Sequence, residues 1–198
     1  MSDNQKIDKA RRNLVVATSV AGGAASVGAA VPFVMSMFPS ERAKAAGAPV
    51  EVDISGIAPG ELKVFEWRGK PVWVIRRTED MLATLKKATG LTDPASKASQ
   101  QPEYASNEHR SLKPEVMVME GVCTHLGCSP QIRTAEAKAE MGADWLGGFY
   151  CPCHGSKFDL AGRVFRGAPA PTNLKVPPYT FLSDNTLVIG EDQEKKGA

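Results

Sequence analysis

The chain has 198 residues, with 24 basic and 22 acidic side chains and a formal net charge of +2. That length accommodates one membrane segment and one modest globular head. The near balance of charge, mixed along the chain, excludes the basic face that a nucleic-acid binder needs. Its four cysteines read as metal or catalytic groups in a reducing compartment and as disulfide partners in an oxidising one.

The N-terminal segment supplies the compartment. Residues 13–40 carry no charge, and 14–38 form an apolar stretch of the length that spans a bilayer. Its small residues, Gly22, Gly23, Ala24, Ala25, Ser26 and Gly28, suit close helix packing within a membrane. Lys6, Lys9, Arg11 and Arg12 precede the span, so the positive-inside bias keeps residues 1–13 in the cytoplasm and sends the head outside. Arg11-Arg12 ahead of a weakly apolar stretch also resembles a twin-arginine export signal, the route for proteins that fold before crossing. The plainer reading is that these arginines only set topology. Ala43-Lys44-Ala45 offers a small-residue cleavage site, but the length of the apolar run favours a retained anchor. Residues 39–49, bracketed by Pro39 and Pro49, read as a tether that is partly helical at best.

The head, residues 50–190, opens with β-branched or alternating runs at 50–54, 62–67 and 71–77, the last two joined by a short Arg68-Gly69-Lys70 turn. Residues 79–88 predict a helix with Thr78 as N-cap, acids in its first turn, Lys86 and Lys87 in its last, and Gly90 beyond its end. Met81, Leu82 and Leu85 are expected to face the sheet. Residues 92–113 are polar, hold Pro94 and Pro102, lack a clear period, and predict a long surface excursion containing a solvated His109. Strands at 116–119 and 148–150 each deliver the chain into a cysteine-bearing box, and 134–142 reads as an insertion between them. Gly167-Ala168-Pro169-Ala170-Pro171 is stiff and extended. Strands at 175–181 and 186–189, around an Asp184-Asn185 turn, return to the base sheet, and 191–198 form a tail. The expected fold is mainly β: an antiparallel β sandwich with one short helix insertion, a small lobe at about 118–172, and an N-terminal transmembrane helix.

The boxes are Cys123-Thr124-His125-Leu126-Gly127-Cys128 and Cys151-Pro152-Cys153-His154-Gly155-Ser156. They hold all four cysteines and two of the three histidines. Each places a thiol and an imidazole near a glycine, so Cys123, His125, Cys151 and His154 can supply four ligands, leaving Cys128 and Cys153 over to bridge each other. Two thiolates with two imidazoles suit zinc or the two-iron cluster in which histidines replace cysteines on one iron. Zinc folds usually draw like ligands from each element, whereas each box here contributes one of each kind.

Together the two boxes resemble those of Rieske iron-sulfur proteins, and with their extra cysteines they resemble the subunit type found in cytochrome bc complexes, which oxidise ubiquinol and reduce a c-type cytochrome. The resemblance extends from the N-terminus to Gly190. It implies one [2Fe-2S] cluster on Cys123, His125, Cys151 and His154, and a Cys128–Cys153 disulfide clamping the loops. It implies a Ser156 hydroxyl bonded to a bridging sulfide and a proline-rich stretch covering the cluster from a third side. His154 would accept a hydrogen bond from ubiquinol with His125 beside it, while Leu126 and Pro152 would shield the cluster and dock the quinone and partner. The tether would be a hinge. Implied partners are cytochrome b and a membrane-bound c-type cytochrome in a dimeric complex of the bacterial inner membrane, with the head on the periplasmic side, contributing to proton translocation.

Two chemical consequences accompany that resemblance. Two ferric ions, two sulfides and two thiolates sum to zero formal charge, which places the potential above that of four-cysteine clusters. An imidazole bound to metal through one nitrogen keeps the other for a proton, which the metal's charge makes more acidic, so electron and proton are taken up together. In one respect the sequence departs from many respiratory members: two residues after Ser156 they have a tyrosine whose hydroxyl bonds a ligand sulfur, and here Phe158 lacks it. A lower midpoint potential is expected. The rivals are a Rieske subunit of another periplasmic oxidoreductase, such as an arsenite oxidase, and a membrane-anchored domain holding structural zinc.

Overall fold

Asp8 starts the first helix by accepting hydrogen bonds from the Ala10 and Arg11 amides, which the helix itself leaves unpaired. The computed structural model describes residues 8–98 and 100–192, so most of the expected cytoplasmic N-terminus (1–7) and of the C-terminal tail (193–198) lies outside the described residues. Contacts divide the chain into two units, Met1–Ala45 and Ala46–Ala198. In the first, α1 (Lys9–Ser36) is fully exposed and is followed by α2 (Glu41–Ala46). The stretch is long and apolar enough to cross a membrane, with a mean hydropathy of 1.8 in its best window. The tether is therefore more helical than its Gly47 and Pro49 imply, because both fall after the last turn of α2.

The second unit holds three antiparallel three-stranded sheets. β2 (Leu62–Trp67), β3 (Lys70–Arg76) and β4 (Val116–Glu120) form one, with β3 central and β4 buried along its whole length. The β2–β3 hairpin turns through Arg68 and Gly69, both with positive φ, which matches the twist of paired strands. β1 (Val50–Asp53) and β9 (Thr186–Ile189) pair in a second sheet, with β8 (Tyr179–Phe181) on the other side of β9. The expected strand at 175–181 begins only at Tyr179, since Pro177 and Pro178 have no amide hydrogen to give a ladder. The third sheet, β5 (Gln131–Arg133), β6 (Gly148–Cys151) and β7 (Ser156–Phe158), builds the lobe, and the insertion between the boxes contains a single short helix, α4 (Lys138–Met141).

Side chains join the base sheet to the lobe. Trp73 on β3 stacks on Phe149 of β6 with centroids 5.1 Å apart, a pairing worth about 1 kcal/mol beyond the area it buries. The helix α3 (Glu79–Lys87) is capped as expected, Thr78 Oγ1 accepting from the Met81 amide at 3.3 Å. Its apolar face differs from expectation: Leu85 packs with Leu160 and Ala161 of the lobe, joined by Met81 and Leu82, and only Met81 also reaches the main core.

Segment 92–113 is the largest correction, for it runs through the head as well as over it. Arg110 is 0% exposed. Its guanidinium donates to the carbonyls of Ala161 at 2.9 Å and Leu174 at 2.7 Å and to Gln101 Oε1 at 3.0 Å. Arg77, also buried, donates to the carbonyls of Pro114, His109 and Leu160 and to Ser111 Oγ. Burial lowers both guanidinium pKa values to about 10, which leaves both charged at neutral pH. His109 sits in the same corner. Burial and the nearby Arg77 charge lower its pKa, and its Nδ1 is buried without a partner, so it is less solvated than the sequence implies. Arg110→Met would keep the volume and strand two lobe carbonyls. With an unsatisfied buried acceptor worth 1–3 kcal/mol, stability should fall by about 3 kcal/mol, read as a lower melting temperature of the detergent-solubilised chain by circular dichroism. An unchanged melting temperature would show that solvent reaches those carbonyls.

Candidate metal centre

Both boxes adopt the same turn. In the first, the Gly127 amide returns to the Cys123 carbonyl at 3.0 Å and the Cys123 amide donates to the Cys128 carbonyl at 2.7 Å. In the second, the Gly155 amide returns to the Cys151 carbonyl at 2.9 Å while Cys151 and Ser156 face each other across β6 and β7. Gly127 and Gly155, each four residues after its cysteine, have φ of +83° and +79°. A side chain there would be strained, which explains the glycine common to both boxes.

Cys128 and Cys153 form a disulfide across the two loops. The Cys151 sulfur lies within 4.8 Å of both bridged sulfurs. Cys123 and Cys151 remain as buried thiols. Burial raises the Cys151 thiol pKa, helped by Cys123 beside it, while the Cys153 and His154 amides act in the opposite direction. The His125 and His154 rings meet edge to face, centroids 4.8 Å apart. His125 Nδ1 is buried and has no hydrogen-bond partner among the described residues. An orphaned imidazole nitrogen and two adjacent buried thiols are a costly arrangement for a metal-free protein, and they fit a metal group that takes two sulfurs and two nitrogens.

Exposure is graded around this point. Cys123 and Cys151 are buried, His125 is half-buried, and His154, Pro152 and Leu126 are exposed, Leu126 to 70%. Residues 167–172 tie down both loops. Thr124 Oγ1 donates to the Thr172 carbonyl at 2.7 Å, and the Ala170 amide donates to Ser156 Oγ at 3.0 Å. Ser156 therefore serves as an acceptor in that bond and keeps its own hydrogen for another group. Phe158 is fully buried and pairs with Phe149 across the sheet.

The ligand candidates thus meet by kind, Cys123 beside Cys151 and the His125 ring against the His154 ring, and the remaining cysteines bond to each other. Sequence reasoning missed Thr124, a threonine in a loop with no pattern around it. It also missed Glu120 and Lys70, which form an ion pair at 3.0 Å on the wall of a cavity that His125 also lines. The alternation of charge along β3 and β4 gives no hint of that pairing, which follows from the register Val72↔Glu120.

Two family profiles match the chain: one described as Rieske [2Fe-2S] domain over residues 93–178, and one described as Ubiquitinol-cytochrome C reductase Fe-S subunit TAT signal over residues 1–40. The chain is 56% identical over 191 residues to the ubiquinol-cytochrome c reductase iron-sulfur subunit of Allochromatium vinosum, covering 96% of this chain and 92% of that one. It is 41% identical over 180 residues to the subunit of the same description from Bradyrhizobium diazoefficiens, covering 89% and 92%. To the mitochondrial cytochrome b-c1 complex subunit Rieske-4 of Nicotiana tabacum it is 44% identical over 160 residues, covering 80% and 59%.

The disulfide spans 25 residues, and closing a loop of that size contributes about 3 kcal/mol in the chain-entropy account. Cys128→Ser should leave protein that binds metal but loses it on dilution into chelator several-fold faster than the wild type. Equal retention would show that 167–171 and the sheet hold the loops unaided.

Proposed function

The chain belongs to the Rieske iron-sulfur subunits of ubiquinol-cytochrome c reductases, and from that membership we propose how its own residues divide the work of the electron-transfer subunit of this complex. Its cofactor is the Rieske [2Fe-2S] cluster, so the zinc alternative falls away. So does the subunit of another periplasmic oxidoreductase, because the relatives are reductase subunits matched along nearly the whole chain.

Cys123 and Cys151 would hold the cluster through their thiolates and His125 and His154 through imidazole nitrogens, the unpartnered Nδ1 of His125 being available for that contact. When bound, the cluster supplies a one-electron acceptor with no formal charge in its oxidised form, in the potential range of about −150 to +300 mV. His154, exposed at the tip, takes the hydrogen bond of ubiquinol and then its proton on the nitrogen that does not bind metal. His125 stands beside it with its ring edge-on. Leu126 and Pro152 keep water from the approach and seat the quinol and the partner protein. Ser156, anchored by the Ala170 amide, would donate its free hydrogen to the cluster.

In the same reading α1 anchors the subunit in the bacterial inner membrane, with the N-terminus cytoplasmic and the head periplasmic, and residues 39–49 serve as the hinge. The head takes one electron while the other goes to a haem of cytochrome b. It then swings to a membrane-bound c-type cytochrome, within a complex that is a dimer and contributes to proton translocation. The orphaned, buried Nδ1 of His125, in a box whose leading cysteine is a buried thiol, is the observation that supports this assignment of ligands.

Iron and acid-labile sulfide analysis of the purified chain should give about two of each per molecule, with the Rieske electron paramagnetic resonance signal after ascorbate reduction. Cys123→Ser and His125→Leu should each abolish that signal, and a signal surviving in either overturns the ligand set. Phe158→Tyr should raise the midpoint potential by restoring a donor to a ligand sulfur, which favours the more negative reduced state. An equal or lower potential in a redox titration would mean that a hydroxyl at 158 finds another acceptor.

A further inference from the structure

A cavity of about 320 Å³ opens beside the tip, lined among others by Lys70, Glu120, Thr124, His125, Leu126 and Lys175. Its charges are uneven. Glu120 has a nearly buried side chain, 11% exposed, and its carboxylate is satisfied by Lys70 at 3.0 Å. The Lys175 carbonyl accepts from the Glu120 amide at 2.8 Å, which fixes the Lys175 backbone against the end of β4. Its ammonium makes no ion pair among the described residues. Lys175, half-buried, is therefore a lysine of the cavity lining with no acidic partner among the described residues.

We infer that this cavity receives a carboxylate side chain from the water-facing surface of the electron-accepting c-type cytochrome, with Lys175 as its counter-ion. The inference rests on the proposed function and extends it from the tip to its flank. Of the two partners in that reading, the quinol is uncharged and occupies an apolar setting. There the exposed Leu126 and Pro152 fit, and an unpaired ammonium drawn in with them would be penalised. A partner met in water has no such penalty, and a charge at the edge of the contact speeds docking and fixes its register. The cavity is continuous with the tip, sharing His125 and Leu126 with it, so a carboxylate lodged here sets a partner directly against the histidine end of the site.

The test uses the assembled complex in detergent, with Lys175→Glu and Lys175→Arg. At low salt, charge reversal should slow reduction of the c-type haem by the reduced cluster about three- to five-fold, the size expected of a partly exposed ion pair. Reduction of the cluster by ubiquinol and the cluster's paramagnetic resonance spectrum should stay as in the wild type, and the arginine variant should behave normally. Raising the salt should close the gap. Wild-type haem reduction in Lys175→Glu overturns the inference, as does a slowing that is independent of salt or accompanied by a changed spectrum. Absence of a Rieske spectrum in the wild-type complex would instead overturn the functional reading beneath it.

Discussion

Two loops whose first cysteines are 28 positions apart, at 123 and 151, are tied together by the Cys128–Cys153 bond, and between them they bring the His125 and His154 rings into contact and keep Cys123 and Cys151 as buried thiols. The geometry behind it is simple because the loops share one backbone turn with their chemistry shifted along it. Counting from each leading cysteine, glycine stands fourth in both, but the imidazole stands second in one loop and third in the other. The bridging cysteine stands fifth in the first loop and second in the second. One turn, used twice with its side chains displaced, thus brings like groups together from unlike positions, ring against ring and sulfur to sulfur.

Such a tie works only on a stiff support. β4 leads into Cys123 and β6 ends on Cys151, and their sheets are pinned together by Trp73 on Phe149. Behind them Arg110 and Arg77 saturate carbonyls from both the lobe and the 92–113 segment. Buried guanidiniums suit that task, since one planar group bonds several carbonyls that arrive from different parts of the chain. The polar character of 92–113 is therefore structural: its residues replace a secondary-structure ladder with side-chain bonds.

The candidate site was the most legible part of the sequence, because its signal is chemical and local: four cysteines and two histidines in two hexapeptides need no long-range knowledge. The hairpin at 62–76, the capped helix at 79–87 and the last strand were also legible, each carrying its own period, turn or cap. The failures share a cause. Strands β5 and β7 have three residues each, too few for a period to register, and they exist only because β6 lies between them. The run at 175–181 has strand composition, yet Pro177 and Pro178 deny it the ladder. That α3 packs on Leu160 and Ala161 and that Arg110 is buried are facts about residues more than fifty positions apart, which no local pattern records.

The same separation of scales governs what the head can do. Burial grades the site, so that Cys123 and Cys151 lie below the surface while His154 reaches it, and in the proposed reading a proton and an electron enter at that edge. Surface character then decides who may approach that edge. Leu126 and Pro152 offer an apolar cap, and a few residues away the wall bearing Lys175 offers charge. In the proposed reading one imidazole edge meets a lipid-soluble donor and a water-facing acceptor surface in turn, and both are served by having the two kinds of surface adjacent to it, since neither alone discriminates between them.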